Sequence, residues 1–217
     1  YKILFYEEED GFKPVEDFID QLDAAAQHNK YARIQLEQII YCFDRLEDKG
    51  TRAGDKFTKR VSGDIWELRP GKNRILFFGW QGNHFVLLHH FMKEPGKYPL
   101  ENSRLLKDGW SYGCLAERND RALKSWNVKK KDIKSIDPIR MNELEAVAQL
   151  VNAIHQRRLE LGWTQQELAD KVGLHQESIA RIENGGTIPR LDTVLKLAMA
   201  MGMKLTWHGV EEAATSM

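Results

Sequence analysis

Cysteine is scarce in this chain. Cys42 and Cys114 have no metal-like spacing, which excludes a disulfide framework and a cysteine-rich zinc site and fits a reducing cytoplasm. No apolar run approaches the ~20 residues of a membrane span, and no signal-peptide pattern is present. Excess charge is lacking as well: 32 Lys+Arg balance 32 Asp+Glu, so bulk charge alone argues for no polyanionic partner. There is neither an internal repeat nor a low-complexity tract. The expectation is a soluble cytoplasmic protein that needs no metal and no cofactor.

What is present is unevenly distributed. A length of 217 residues suggests one large or two small domains. The first 23 residues are acidic, with "YEEED" at 6–10. From Arg104 to Arg140 ten Lys/Arg stand against five Asp/Glu, and from Met141 onward seven stand against ten. The basic middle is a candidate contact surface.

Periodicity divides the chain. "YKILFY" reads as an edge strand, and Pro14 opens a helix with Val15, Phe18, Ile19 and Leu22 at helical spacing. A second helix is expected from Lys30 to Lys49, with Ile34, Ile39, Ile40, Phe43 and Leu46 inward and Gly50 as its stop. The period then shortens to two. "DIWELR", "RILFFGW" and "HFVLLHHF" read as antiparallel strands joined by "RPGKNR" and "QGN", the last strand lying centrally. "KEPGKYPLEN" breaks the pattern, a short helix is expected over 99–110, and 111–138 shows no strong period. Residues 141–161 are helical again.

The clearest motif runs from Thr164 to Gly185, "TQQELADKVGLHQESIARIENG". Thr164 and Glu167 form a capping box, Gly173 permits a left-handed turn, and Ala169 lets two helices cross closely. Leu168, Val172, Ile179 and Ile182 supply the inner face, and "LDTVLKLAMAMG" forms a further helix. Together with Arg158, Gly162, Glu183, Pro189, Leu195, Ala198 and Gly202, this order resembles the helix-turn-helix of the Xre/Cro and phage-repressor family over roughly 144–205. The resemblance implies that the helix from about His175 to Asn184 enters the major groove. It also implies that Gln176, Glu177 and Arg181 contact bases, where Gln suits adenine, Glu the cytosine amino group and Arg guanine. By the same resemblance, Gln165 and Asn184 contact phosphates, Arg158 pairs with Glu183, and a homodimer binds operator DNA at two half-sites.

"WELRPGKNRILFF" and "VLLHHFMK", set in a strand–helix–helix–strands order, resemble the RelE/HigB-type toxins over about 1–110. That resemblance implies metal-independent endoribonuclease activity on mRNA in the ribosomal decoding site. Such chemistry needs a base for the 2′-hydroxyl, cations at the phosphorane and an acid for the leaving oxygen. Arg69 and Arg74 flank one hairpin turn and suit a phosphate clamp, backed by Lys93. Glu67, His89 or His90 are the candidate proton shuttles, although the two histidines should point to opposite faces. Lys56 and Lys59 are candidate RNA guides. The family tail usually continues Lys-Lys-Thr, whereas Glu94 and Pro95 stand here.

The expected class is therefore α+β. A RelE-like antiparallel sheet with two helices (1–110) precedes a basic linker (111–140) and an all-α helix-turn-helix domain (141–217). The reading is a toxin joined head to tail with a HigA-like antitoxin that neutralises it through a contact between the domains and represses its own operon. The alternative is a transcription regulator with a catalytically dead RelE-like interaction domain.

Overall fold

The computed structural model describes residues 1–8, 10–54, 56–80, 82–93, 123–204 and 206. Five strands, β1 (Lys2–Phe5), β2 (Thr58–Ser62), β3 (Ile65–Leu68), β4 (Asn73–Trp80) and β5 (His84–Met92), form one sheet in the order β1-β5-β4-β3-β2. All pairs are antiparallel except β1 with β5. That exception follows from connectivity: α1 (Pro14–Ala26) and α2 (Lys30–Lys49) intervene after β1, whereas short turns join β2 to β5. Strand β2 has no counterpart among the elements expected from sequence. The short helix expected over 99–110 lies outside the described residues.

Alternation gives the sheet two apolar faces. Ile3, Phe5, Leu68, Ile75, Phe77, Phe85 and Leu87 pack under α1 and α2. Leu4, Tyr6, Ile65, Leu76, Phe78, Val86 and Leu88 form a second cluster on the other face. Helix α2 is bounded as its sequence demands. Asn29 accepts hydrogen bonds from the Tyr31 and Ala32 amides, and Gly50 ends the helix at φ 61°. Ile34, expected inward, is instead 52% exposed.

After the sheet come α3 (Trp126–Asp132), α4 (Pro138–Glu160), α5 (Gln165–Val172), α6 (Gln176–Glu183) and α7 (Leu191–Ala200). Pro138 occupies the first turn of α4, and the Asp137 side chain accepts the Arg140 amide at 2.9 Å. The outer half of α4 joins Val151 and Ile154 to Leu168, Ala169, Ile179, Ile182, Val194, Leu197 and Ala198 in a third cluster. Its inner half belongs to the first cluster: Met141, Leu144 and Ala148 share a core with α1, α2 and the sheet.

The described part of the expected linker is built into that same core. Trp126 is fully buried, meets Phe43 edge-on at 5.0 Å and donates its indole N–H to Asp44 at 3.3 Å. Several of the basic side chains described in this segment pair within the molecule. Lys124 lies 2.8 Å from both Glu16 and Asp132, and Lys130 lies 2.9 Å from Asp44 and 2.8 Å from Glu145. Lys129 pairs with Asp20, Arg140 reaches Glu37 at 2.8 Å, and the Asp23 carboxylate accepts the Lys134 and Ser135 amides. The acidic start and the basic middle of the chain thus bind each other.

Candidate nucleic-acid interfaces

The helix-turn-helix is assembled from local rules. Thr164 caps α5 in a reciprocal capping box with Glu167, and Gly173 makes the left-handed turn at φ 69° and ψ 35°. Buried Leu168, Ala169, Ile179 and Ile182 fix the crossing of α5 and α6. Arg158 grips Glu183 through two hydrogen bonds of 2.6 and 2.7 Å. Burial alone would raise the Glu183 pKa, but hydrogen bonds from His155, Arg158 and Gln165 outweigh it and hold the group at about 2.

The expected DNA contacts fall together. Gln165, Gln176, Glu177, Arg181 and Asn184 line one open groove, shared with Ala180 and Lys56. Gln165 links the two helices, donating to Glu183 at 2.8 Å and accepting from Gln176 at 2.9 Å. Glu177 and Arg181 are exposed. Asn184 also ties the fold together, because its Oδ1 accepts the Lys56 backbone N–H at 3.1 Å.

Lys56 belongs to the loop before β2, and that loop is docked on the end of α6. Arg45, fully buried, donates to the carbonyls of Ile182 at 3.2 Å, Glu183 at 2.9 Å and Ala53, and to Asn152 Oδ1 at 2.8 Å. Its guanidinium lies 4.6 Å from the Phe57 ring centre. Gln38 donates to the Gly185 carbonyl. A Cβ on Gly54 would run into the Glu183 carbonyl oxygen, so the loop approaches closely only with glycine there. Burial pushes the Cys42 thiol up to about 12, and it packs against Gly185 as a neutral group. None of these docking residues stands out in the sequence. Their one signal is that Gln38, Cys42 and Arg45 fall at helical spacing on α2.

The second candidate surface lies on the sheet face away from α1 and α2. Glu67, only 1% exposed, accepts Arg69 Nε at 2.7 Å and lies 3.5 Å from Arg74 Nε. Across the sheet Lys59 pairs with Glu67, Glu67 with Leu76, and Leu76 with His89, so these four share one row. Arg74 also donates to the Gly71 carbonyl at 2.9 Å and the Asn73 carbonyl at 2.6 Å, and its side chain is 12% exposed. Lys93 is exposed just beyond β5, its amide on the Lys72 carbonyl at 2.9 Å.

Two expectations need correction. His90 pairs with Ile75 of the helix-side core, stacks on Phe18 with ring centres 3.3 Å apart, and lies 3.0 Å from Asn73 Oδ1. Burial first, then the charge of His89, lowers its pKa to about 4. It sits behind the sheet from the arginines, and the β-bulge beside Leu76 puts His89 on their side instead. Lys56, expected near RNA, lines the groove of α6.

Comparison with known proteins supports both halves. Residues 154–208 match the helix-turn-helix family model, and residues 17–108 match that of the phage-derived Gp49-like proteins. An uncharacterized HTH-type transcriptional regulator of Haemophilus influenzae is 35% identical over 82 residues, 38% of this chain and 82% of the relative. Antitoxin HipB of Escherichia coli O6:H1 is 33% identical over 78 residues, covering 36% and 83%, and that of strain K12 is 38% identical over 66, covering 30% and 75%. With the capping box, the αL turn and the Arg158–Glu183 pair in place, the chain belongs to the helix-turn-helix transcriptional regulators.

Proposed function

We propose that this chain is a transcription regulator of the toxin–antitoxin class, a RelE/HigB-like half held by its own operator-binding half. The observation that carries this reading is the groove on α6, where Gln165, Gln176, Glu177, Arg181 and Asn184 converge. The Gp49-like match and the relatives named antitoxin HipB support the class. Two protomers place two α6 helices on half-sites about 34 Å, one turn, apart. The test is a low-salt gel shift on the promoter of the chain's own gene. The full chain retards that duplex ahead of random DNA, and Gln176→Ala with Arg181→Ala removes the preference, each lost base contact being worth about 1–3 kcal/mol. Equal retardation of both duplexes by the unmodified chain refutes sequence-specific reading.

For the Gp49-like half, the proposed activity is ribosome-dependent mRNA cleavage at the sheet face. Arg69, Lys59 and Lys93 supply cations for the scissile phosphate, Glu67 braces Arg69 and Arg74, and His89 is the proton carrier on that side. A second reading, a catalytically dead interaction module, is favoured by Arg74, whose guanidinium already holds Glu67, Gly71 and Asn73. Expression of residues 1–110 separates the two. If that half is a nuclease, the fragment arrests growth, residues 123–217 supplied in trans relieve the arrest, and Arg69→Ala with Arg74→Ala abolishes it. A folded fragment that leaves translation intact selects the regulator reading.

A further inference from the structure

The cations of the DNA-reading half are mostly engaged elsewhere. Arg158 is buried on Glu183, Arg157 faces Glu160 at 3.3 Å, Arg190 faces Asp192 at 3.2 Å, and the Lys171 ammonium lies 4.5 Å from the Trp163 ring centre. Glu177, exposed in the first turn of α6, repels phosphate. The turn after α6, Asn184-Gly185-Gly186-Thr187-Ile188-Pro189, carries no charge at all. Duplex binding draws most of its sequence-independent strength from neutralised phosphates. Beyond the base-reading Arg181, α6 and the turn that follows it offer no cation of their own.

The Gp49-like half supplies one. Lys56 is exposed, has no ion pair among the described residues, and lines the same groove as Gln165, Gln176, Arg181 and Asn184. Its backbone, not its ammonium, makes the docking contact with Asn184. Arg45, Gly54 and Phe57 hold that loop against the Ile182–Gly185 turn, so the position of Lys56 is fixed relative to α6.

We infer that the DNA-binding surface is composite: Lys56 of the Gp49-like half contacts a backbone phosphate beside the bases read by α6. This rests on the operator-binding function and extends it. The two halves then act as one reader, because separating them removes a phosphate contact as well as the docking of α6.

The test is a salt titration of full-chain binding to the promoter duplex and to a random duplex of equal length. Lys56→Gln lowers the slope of log affinity against log salt by about 0.9 per protomer. It weakens binding to both duplexes by the same factor and leaves their ratio unchanged; Lys56→Arg restores the slope. Lys2→Gln, exposed at the sheet edge opposite β2, leaves the slope as it was. If the unmodified chain binds the promoter and Lys56→Gln keeps its slope and affinity, the composite surface is overturned while operator binding stands. If the unmodified chain binds neither duplex, both fall together.

Discussion

Glu183 and Glu47 show opposite outcomes of carboxylate burial. Glu183 has hydrogen-bond donors on its oxygens and titrates at about 2, below its ordinary value of 4.5. Its folded-state advantage is present above that ordinary value and is lost as pH falls toward 2, about 3 kcal/mol by linkage. Glu47 is less well supplied: burial first, and then the charge of Asp44, push it up to about 7, and its Oε1 has no hydrogen-bond partner among the described residues. The fold therefore favours its protonated form, and stability falls as pH rises from the ordinary value of 4.5 through 7. Asp44, raised by burial to about 6 against the pull of Lys130, adds to the same slope. Glu47→Gln is expected to raise the thermal midpoint at pH 8, to change little at pH 5 and to flatten the curve between them. Parallel curves for the variant and the unmodified chain would contradict this assignment.

At the scale of elements, the turn that ends α6 is held by α2 and the loop before β2. Arg45 is the centre of that contact: it satisfies three backbone carbonyls drawn from the loop and from α6, and the side-chain carbonyl of Asn152 on α4. Arg45→Ala leaves those acceptors buried and unpaired, a loss of about 3–5 kcal/mol. Urea unfolding measures it, and a midpoint equal to that of the unmodified chain would show that the docking contributes nothing. Sequence could not expose this arrangement. An arginine in "YCFDRLED" reads as a solvated charge, and only the packing of α4 and α6 on α2 encloses it. The short elements β2 and α3 are hidden in the sequence for a related reason. "TKRVS" holds one large apolar residue and "WNVKKKD" reads as a polar, basic run, and Trp126 becomes a core residue only because α2 presents Phe43 and Asp44 to it.

At the scale of the molecule, the long periodic helices, the sequential hairpins and the capping box were legible because their signals are local. The side chains that the family resemblance offers as DNA contacts, Gln165, Gln176, Glu177, Arg181 and Asn184, line one groove, and their contact with DNA is the proposal tested below. Three things depended on long-range pairing and were not legible: the partners of Lys124, Lys129 and Lys130, the side of the sheet taken by His90, and the destination of Lys56. A core running from Ile3 to Ala148 joins what composition had suggested as two domains and a tether. This joined body is proposed to read its operator through paired α6 helices. Nuclease footprinting of the promoter with the full chain addresses it most directly. Two protected half-sites related by a dyad are expected, centred about one helical turn apart or a multiple of it, and lost with Gln176→Ala plus Arg181→Ala; uniform protection, or none at low salt, would rule out operator reading by α6.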